Sequence, residues 1–197
     1  MRRTLLVALL GLALAGGGPV SPSRADPAVQ GIAIASAPLL LWALFEKEPT
    51  TRDPDLLTGV GGWFDGMDRE NEAALFGLEY RSNLWLWKFK PFIGAMGTTD
   101  KGFYSYAGLR LDAYFFKRIM VSTNMAPTLY VRGNGKDLGS MGVLRSGLEV
   151  AYRFDDLSQL GAGFHHMSHG KVFGNLNPGT ETIEITYSIP LSKLFGK

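Results

Sequence analysis

The chain has no cysteine in its 197 residues. An exported protein of this size often relies on disulfides, so a cysteine-free one needs another source of stability, such as a closed hydrogen-bonded barrel. Histidine is nearly as scarce: there are three, and all lie between His165 and His169. Long hydrophobic runs are missing too. Leu5 to Ala15 is too short to span a bilayer, and the apolar stretch from Val29 to Phe45 is broken by Pro38. No basic stripe is present of the kind nucleic-acid binding requires. Glycine-rich pieces such as Gly59-Val60-Gly61-Gly62 are not followed by Lys-Ser/Thr, which excludes a phosphate loop and leaves close packing or strand bends.

The first 25 residues have the three parts of a secretory signal peptide. Arg2 and Arg3 start it, the Leu5–Ala15 run forms its apolar middle, and Ser23-Arg24-Ala25 is a small-x-small cleavage site. Removing residues 1–25 takes away Arg2, Arg3 and Arg24 and no acid. The 20 basic residues fall to 17 against 18 acidic ones, so the formal charge of +2 becomes −1. Residues 26–55 have no readable periodicity, and Val29–Phe45 fits a short buried or interfacial segment.

From Leu56 to the C-terminus the hydropathy repeats with period two. Ala74, Phe76, Leu78 and Tyr80 share one face, with Glu79 and Arg81 on the other. The same holds for Trp85, Trp87, Phe89, Pro91 and Ile93 against Lys88 and Lys90, and for Ile183, Ile185, Tyr187 and Ile189 against Glu184 and Thr186. With Leu57–Asp65 as a weaker first member, residues 56–197 contain eight candidate strands of about ten residues, the length a tilted strand needs to cross a bilayer. A soluble sandwich would alternate as well. The connections argue for the membrane. They are tight around Ser82-Asn83, Lys117-Arg118 and Asp155-Asp156, and longer at Gly66–Asn71, Gly97–Gly102, Arg132–Gly139 and His169–Thr180. Short turns at one end and longer loops at the other mark an outer-membrane barrel, as do aromatic residues near strand ends. The predicted fold is all-β: an eight-stranded antiparallel transmembrane β-barrel whose lumen is filled by the polar face, including Glu79, Arg81, Arg110, Asp112, Arg145, Glu149 and Glu184.

Strand parity makes a specific claim about the histidine stretch. His166 and Ser168 share the face of Leu160, Ala162 and Phe164, and Glu181 shares that of Ile183 and Ile185. All three point outward, and as the seventh and eighth strands are hairpin neighbours they can meet on the lipid-facing wall near the outer leaflet. Polar side chains there are costly and suggest function. Serine, histidine and a carboxylate are the set for nucleophilic ester hydrolysis: Ser168 as nucleophile, His166 as base, Glu181 orienting the imidazole. An oxyanion donor is also needed; His169, Asn175, Asn177 and backbone N–H groups near Gly170 are candidates.

The motif His166-Met167-Ser168, the downstream Asn177-Pro178-Gly179-Thr180-Glu181, the closing Tyr187-Ser188-Ile189-Pro190-Leu191 and Lys90-Pro91-Phe92-Ile93 together resemble the lipid A 3-O-deacylase family of outer-membrane barrels. The resemblance implies a serine-histidine-glutamate triad on the barrel exterior. It also implies hydrolysis of the ester-linked acyl chain at position 3 of lipid A, no metal or other cofactor, and lipopolysaccharide of the outer leaflet as the partner. One departure is His169, where the family commonly has asparagine directly after the serine; the loop to the glutamate is also about one residue longer.

Zinc is the chemical rival for a histidine cluster. On a strand, His165 and His169 share a face but lie about 13 Å apart at roughly 3.3 Å per residue, too far for one ion. Two other readings remain: a structural barrel without activity, and an esterase acting on phospholipid with the same triad. The sequence leaves the oligomeric state open, a homodimer included.

Overall fold

A computed structural model describes residues 27–45, 54–67 and 71–196. The leader expected over residues 1–25 lies outside the described residues. A helix α1 (Pro27–Phe45) is followed by eight strands: β1 (Leu56–Phe64), β2 (Ala73–Arg81), β3 (Lys90–Thr98), β4 (Phe103–Phe115), β5 (Ile119–Val131), β6 (Gly142–Arg153), β7 (Gln159–Ser168) and β8 (Thr180–Pro190). A short helix α2 (Leu191–Phe195) ends the chain. Each strand pairs antiparallel with the next, and β8 pairs back onto β1, from Leu56 opposite Pro190 to Phe64 opposite Thr182. Closure leaves no free sheet edge, which is how a β-structure satisfies its backbone within lipid.

The two faces separate as the alternation requires. Phe76, Leu78, Ile93, Leu129, Val150, Leu160, Ile185 and Tyr187 form an exposed apolar belt around the wall. A continuous belt of that size faces lipid rather than water. Among the described residues no helix is long and apolar enough to cross a membrane, and the strands are the elements that cross.

Ionic pairs and aromatic rings fill the lumen. Arg81 reaches Glu79 at 2.6 Å and grips both oxygens of Glu149 at 3.0 and 2.8 Å. Arg110 and Lys90 share Asp112, at 2.7 and 3.1 Å. Arg145 donates to both oxygens of Glu184 at 2.9 Å and lies 4.6 Å over the ring of Tyr106. Tyr106 in turn donates to Glu79 at 2.7 Å. Toward the long-loop rim the filling becomes apolar and aromatic, with Phe64 stacked on Tyr130 and tilted against Tyr104. Each of the lumen carboxylates Glu79, Asp112, Glu149 and Glu184 has a cationic partner, as burial demands.

Two sequence expectations need correction. Trp85, Trp87 and Phe89 are not part of β3, which begins at Lys90, and the turn expected at Ser82-Asn83 is an eight-residue connection, 82–89. It contains its own small hairpin, a bridge between Leu86 and Phe89 with Trp87 at φ 63°. A left-handed residue cannot continue a strand, so the apolar alternation there reflects a tryptophan-bearing rim rather than a membrane crossing. The stretch without periodicity, meanwhile, is the helix α1. Pro27–Phe45 carries no charged residue, and it lies on the outer wall over β4 to β6. Leu39 packs with outward-facing Leu111 and Ala113, flanked by Phe89, Val121 and Leu148, while Ser36 Oγ meets Thr123 Oγ1 at 2.8 Å. Ile34 and Leu41, on its other side, are exposed.

Candidate active site

The three histidines diverge. Their backbone positions dictate it: successive residues on β7 point to opposite faces, and His169 is past the end of the strand. His165 enters the lumen, where its Nε2 accepts from Asn124 Nδ2 at 3.3 Å and its Nδ1 lies 3.3 Å from Glu184 Oε1. The ring fits because β6 has glycine opposite: a Cβ on Gly147 would fall 2.0 Å from His165 Cδ2 and 2.6 Å from the Phe164 carbonyl oxygen.

His166 is on the outer wall, directly across from Glu181 on β8. Its Nδ1 is 2.9 Å from Glu181 Oε1. A carboxylate can only accept, so Nδ1 carries the proton and Nε2 presents its lone pair. Both groups are buried although they lie on the lipid-facing side, His166 at 2% and Glu181 at 6% exposure. Burial strengthens the pairing and excludes competition from water. Ser168, the last residue of β7, shares this face two residues on and is half-buried. The spacing places its Cβ about 7 Å from that of His166, and among the described residues no hydrogen bond joins the two side chains. On β6, Ser146 is opposite His166 and Leu144 opposite Ser168. With Val172 and Phe173 of the β7–β8 loop, these residues line an open groove on the outer wall.

The three oxyanion candidates occupy different situations. Nε2 of His169 donates to the Leu176 carbonyl at 2.7 Å, and its Nδ1 accepts from the Phe173 amide at 3.4 Å. Both ring nitrogens are thus committed to folding the loop, and neither is left to donate to a developing oxyanion. Asn175 is exposed on the loop. Asn177 accepts the His169 backbone N–H on its Oδ1 at 3.0 Å, which orients the amide and leaves its Nδ2 hydrogens to donate. Gly139, at φ 77°, lets the β5–β6 loop press against this one: a Cβ there would meet the Leu176 carbonyl oxygen at 2.1 Å.

The family model described as lipid A 3-O-deacylase (PagL) matches residues 73–190, from the first residue of β2 to the last of β8. The chain belongs to the lipid A 3-O-deacylase (PagL) family. A solved structure described as that of the outer membrane enzyme PagL superposes with a TM-score of 0.55 at 13% identity, covering 68% of this chain and 99% of that one. At this identity the likeness concerns the fold, the closed eight-stranded barrel. Also similar are a structure from the de novo design of transmembrane β-barrels (TM-score 0.45, 11% identity, 71% of this chain and 98% of that one) and the Yersinia pestis outer membrane protein Ail (TM-score 0.42, 12% identity, 69% and 99%). No curated protein matches the chain. Deacylase family and barrel fold together indicate the bacterial outer membrane.

Asp65 is the residue the sequence did not single out. It sits in the turn after β1, is fully buried, and takes Lys136 Nζ at 2.7 Å and Thr180 Oγ1 at 3.2 Å on the same oxygen. An acid-glycine pair at a strand end reads as a turn, and nothing local shows that the carboxylate is buried.

Proposed function

We propose that this protein is an outer-membrane serine esterase that removes the ester-linked 3-O-acyl chain from lipid A, with Ser168, His166 and Glu181 as its triad. The observation that carries the reading is the His166–Glu181 hydrogen bond, buried on the lipid-facing wall of a chain from a deacylase family. In a purely structural barrel an imidazole-carboxylate pair on that wall is an expense without return.

The chemistry follows from the placement. Ser168 Oγ attacks the acyl carbonyl carbon while its proton passes to His166 Nε2. The proton on Nδ1 stays with the imidazole, and the Glu181 carboxylate stabilises the imidazolium that forms. The Asn177 amide donates to the tetrahedral oxyanion. Collapse breaks the bond between the carbonyl carbon and the sugar oxygen, which takes the proton from Nε2 and leaves as the alcohol. Water then attacks the acyl-serine, giving a proton to Nε2; that proton returns to Ser168 as the free fatty acid departs. Ser168 must turn toward His166 for the first step. Such contacts often tighten only when substrate is bound.

The location suits the substrate. Acyl chains of a leaflet lipid run alongside the apolar belt, and the ester at their head lies at the depth of a strand end. Leu144, Val172 and Phe173 offer the tail apolar walls in the groove that Ser168 also lines.

The test is mass spectrometry of lipid A from cells expressing the wild type or Ser168→Ala, each shown to be folded in the outer membrane. Loss of one 3-linked hydroxyacyl mass with the wild type alone supports the proposal. Equal deacylation by the variant removes Ser168 as nucleophile. Unchanged lipid A with both, but fatty acid released from phospholipid by the wild type, reassigns the substrate.

A further inference from the structure

Glu181 is carried on β8 at a point where the regular ladder has already run out on one side. Toward β7, β8 is paired as far as Thr180, opposite Met167. Toward β1, pairing stops at Thr182, opposite Phe64. Thr180 and Glu181 therefore lie past the end of the seam that closes the barrel. An end secured on one side only is free to splay, and the carboxylate would move with it.

The turn after β1 holds it instead. Gly66 N–H donates to the Glu181 carbonyl at 3.3 Å, and the Thr180 hydroxyl donates to Asp65 Oδ1 at 3.2 Å. Asp65 is secured in turn by Lys136 Nζ at 2.7 Å and, on its other oxygen, by the Asn71 N–H at 3.2 Å. Both Asp65 and Thr180 are fully buried. Two of the long-rim connections, 65–72 and 132–141, and the first residue of β8 thus converge on one carboxylate. Loops could be tied together with apolar contacts alone, and a buried ion pair is not a cheaper way to gain stability. What the carboxylate adds is direction: it accepts from Thr180 at a defined point, one residue before Glu181.

We propose that Asp65 is a positioning residue for the hydrolysis, acting through Thr180 to hold the start of β8 so that Glu181 stays against His166. This rests on the triad reading above. Misplacing a catalytic group by about an ångström costs on the order of a hundredfold in rate, so the link is worth more to turnover than to substrate binding.

The experiment measures lipid A deacylation by purified protein in detergent micelles. It compares Thr180→Val, Thr180→Ser and Asp65→Asn, each alone and combined with Glu181→Gln, with folding checked by the gel shift between heated and unheated samples. Thr180→Val removes only the hydroxyl and is expected to lower kcat by roughly tenfold to a hundredfold with KM little changed, while Thr180→Ser retains activity. Asp65→Asn should act in the same direction. In the Glu181→Gln background neither should lower the rate further, since the group they position is already gone. A folded Thr180→Val with wild-type kcat overturns the proposal. So does an equal drop in the Glu181→Gln background, which would make the contact a general scaffold. Should Asp65→Asn fail to fold, the valine and serine pair at 180 decides alone. Wild-type activity in Glu181→Gln by itself would remove the triad reading, a result distinct from failure of the Asp65 link.

Discussion

Replacing Glu184 by glutamine should destabilise the barrel severely, and replacing its partner as well should restore most of the loss. Arg145 is 1% exposed, and one of its nitrogens lies 2.9 Å from each Glu184 oxygen. At that distance the attraction is about 6 kcal/mol for an effective dielectric constant of 20. It offsets a desolvation penalty of several kcal/mol per ion, so the intact pair contributes little net stability. Glutamine keeps the shape but removes the charge, leaving a buried guanidinium with the Asn124 oxygen at 3.3 Å and the face of Tyr106. Stranding a buried charge in this way costs about 3–5 kcal/mol. Thr182, which donates to Glu184 at 2.7 Å, can still bond to the amide oxygen and should not add to the loss. The double replacement Arg145→Met/Glu184→Gln removes the charge as well as its partner and should recover at least half of it. Urea unfolding in detergent micelles, followed by tryptophan fluorescence, measures both variants. A loss under about 1 kcal/mol for Glu184→Gln, or a double variant no more stable than the single one, would refute the view that Arg145 and Glu184 neutralise each other in a low-dielectric lumen.

Gly147→Ala should disturb the site from behind. The new Cβ lands on the His165 ring and the Phe164 carbonyl, and overpacking of this kind costs about 1–3 kcal/mol. Because His166 is the next residue, turnover should fall with stability; a variant unchanged in both by unfolding and deacylation assays would contradict the geometry. Asn177→Ala should lower kcat by roughly 10²–10³ if its amide meets the oxyanion, whereas Asn175→Ala, on an exposed loop residue, should stay near wild type; parallel rate measurements on the two variants test this.

Much of this architecture was legible because strand alternation is local. Each strand's apolar residues decide its outward face without reference to the rest of the chain, and a hairpin transmits the register to its neighbour. From that alone follow the strand count, the polar lumen and the placing of His166 and Glu181 on one outer surface. Alternation misled only where it carried no strand, at Trp85 to Phe89, since a rim of tryptophans has the same hydropathy pattern as a crossing.

What needed the tertiary structure are the contacts that no hairpin specifies. The position of α1 depends on the outer faces of three strands and on contacts such as the hydroxyl pair of Ser36 with Thr123. The role of His169 depends on how its loop folds back, because only then do Leu176 and Phe173 claim its two ring nitrogens. Asp65 lies 115 residues before Thr180. The two meet only because the last strand closes on the first, and barrel closure is a property of the whole ring of strands that no segment of the sequence contains.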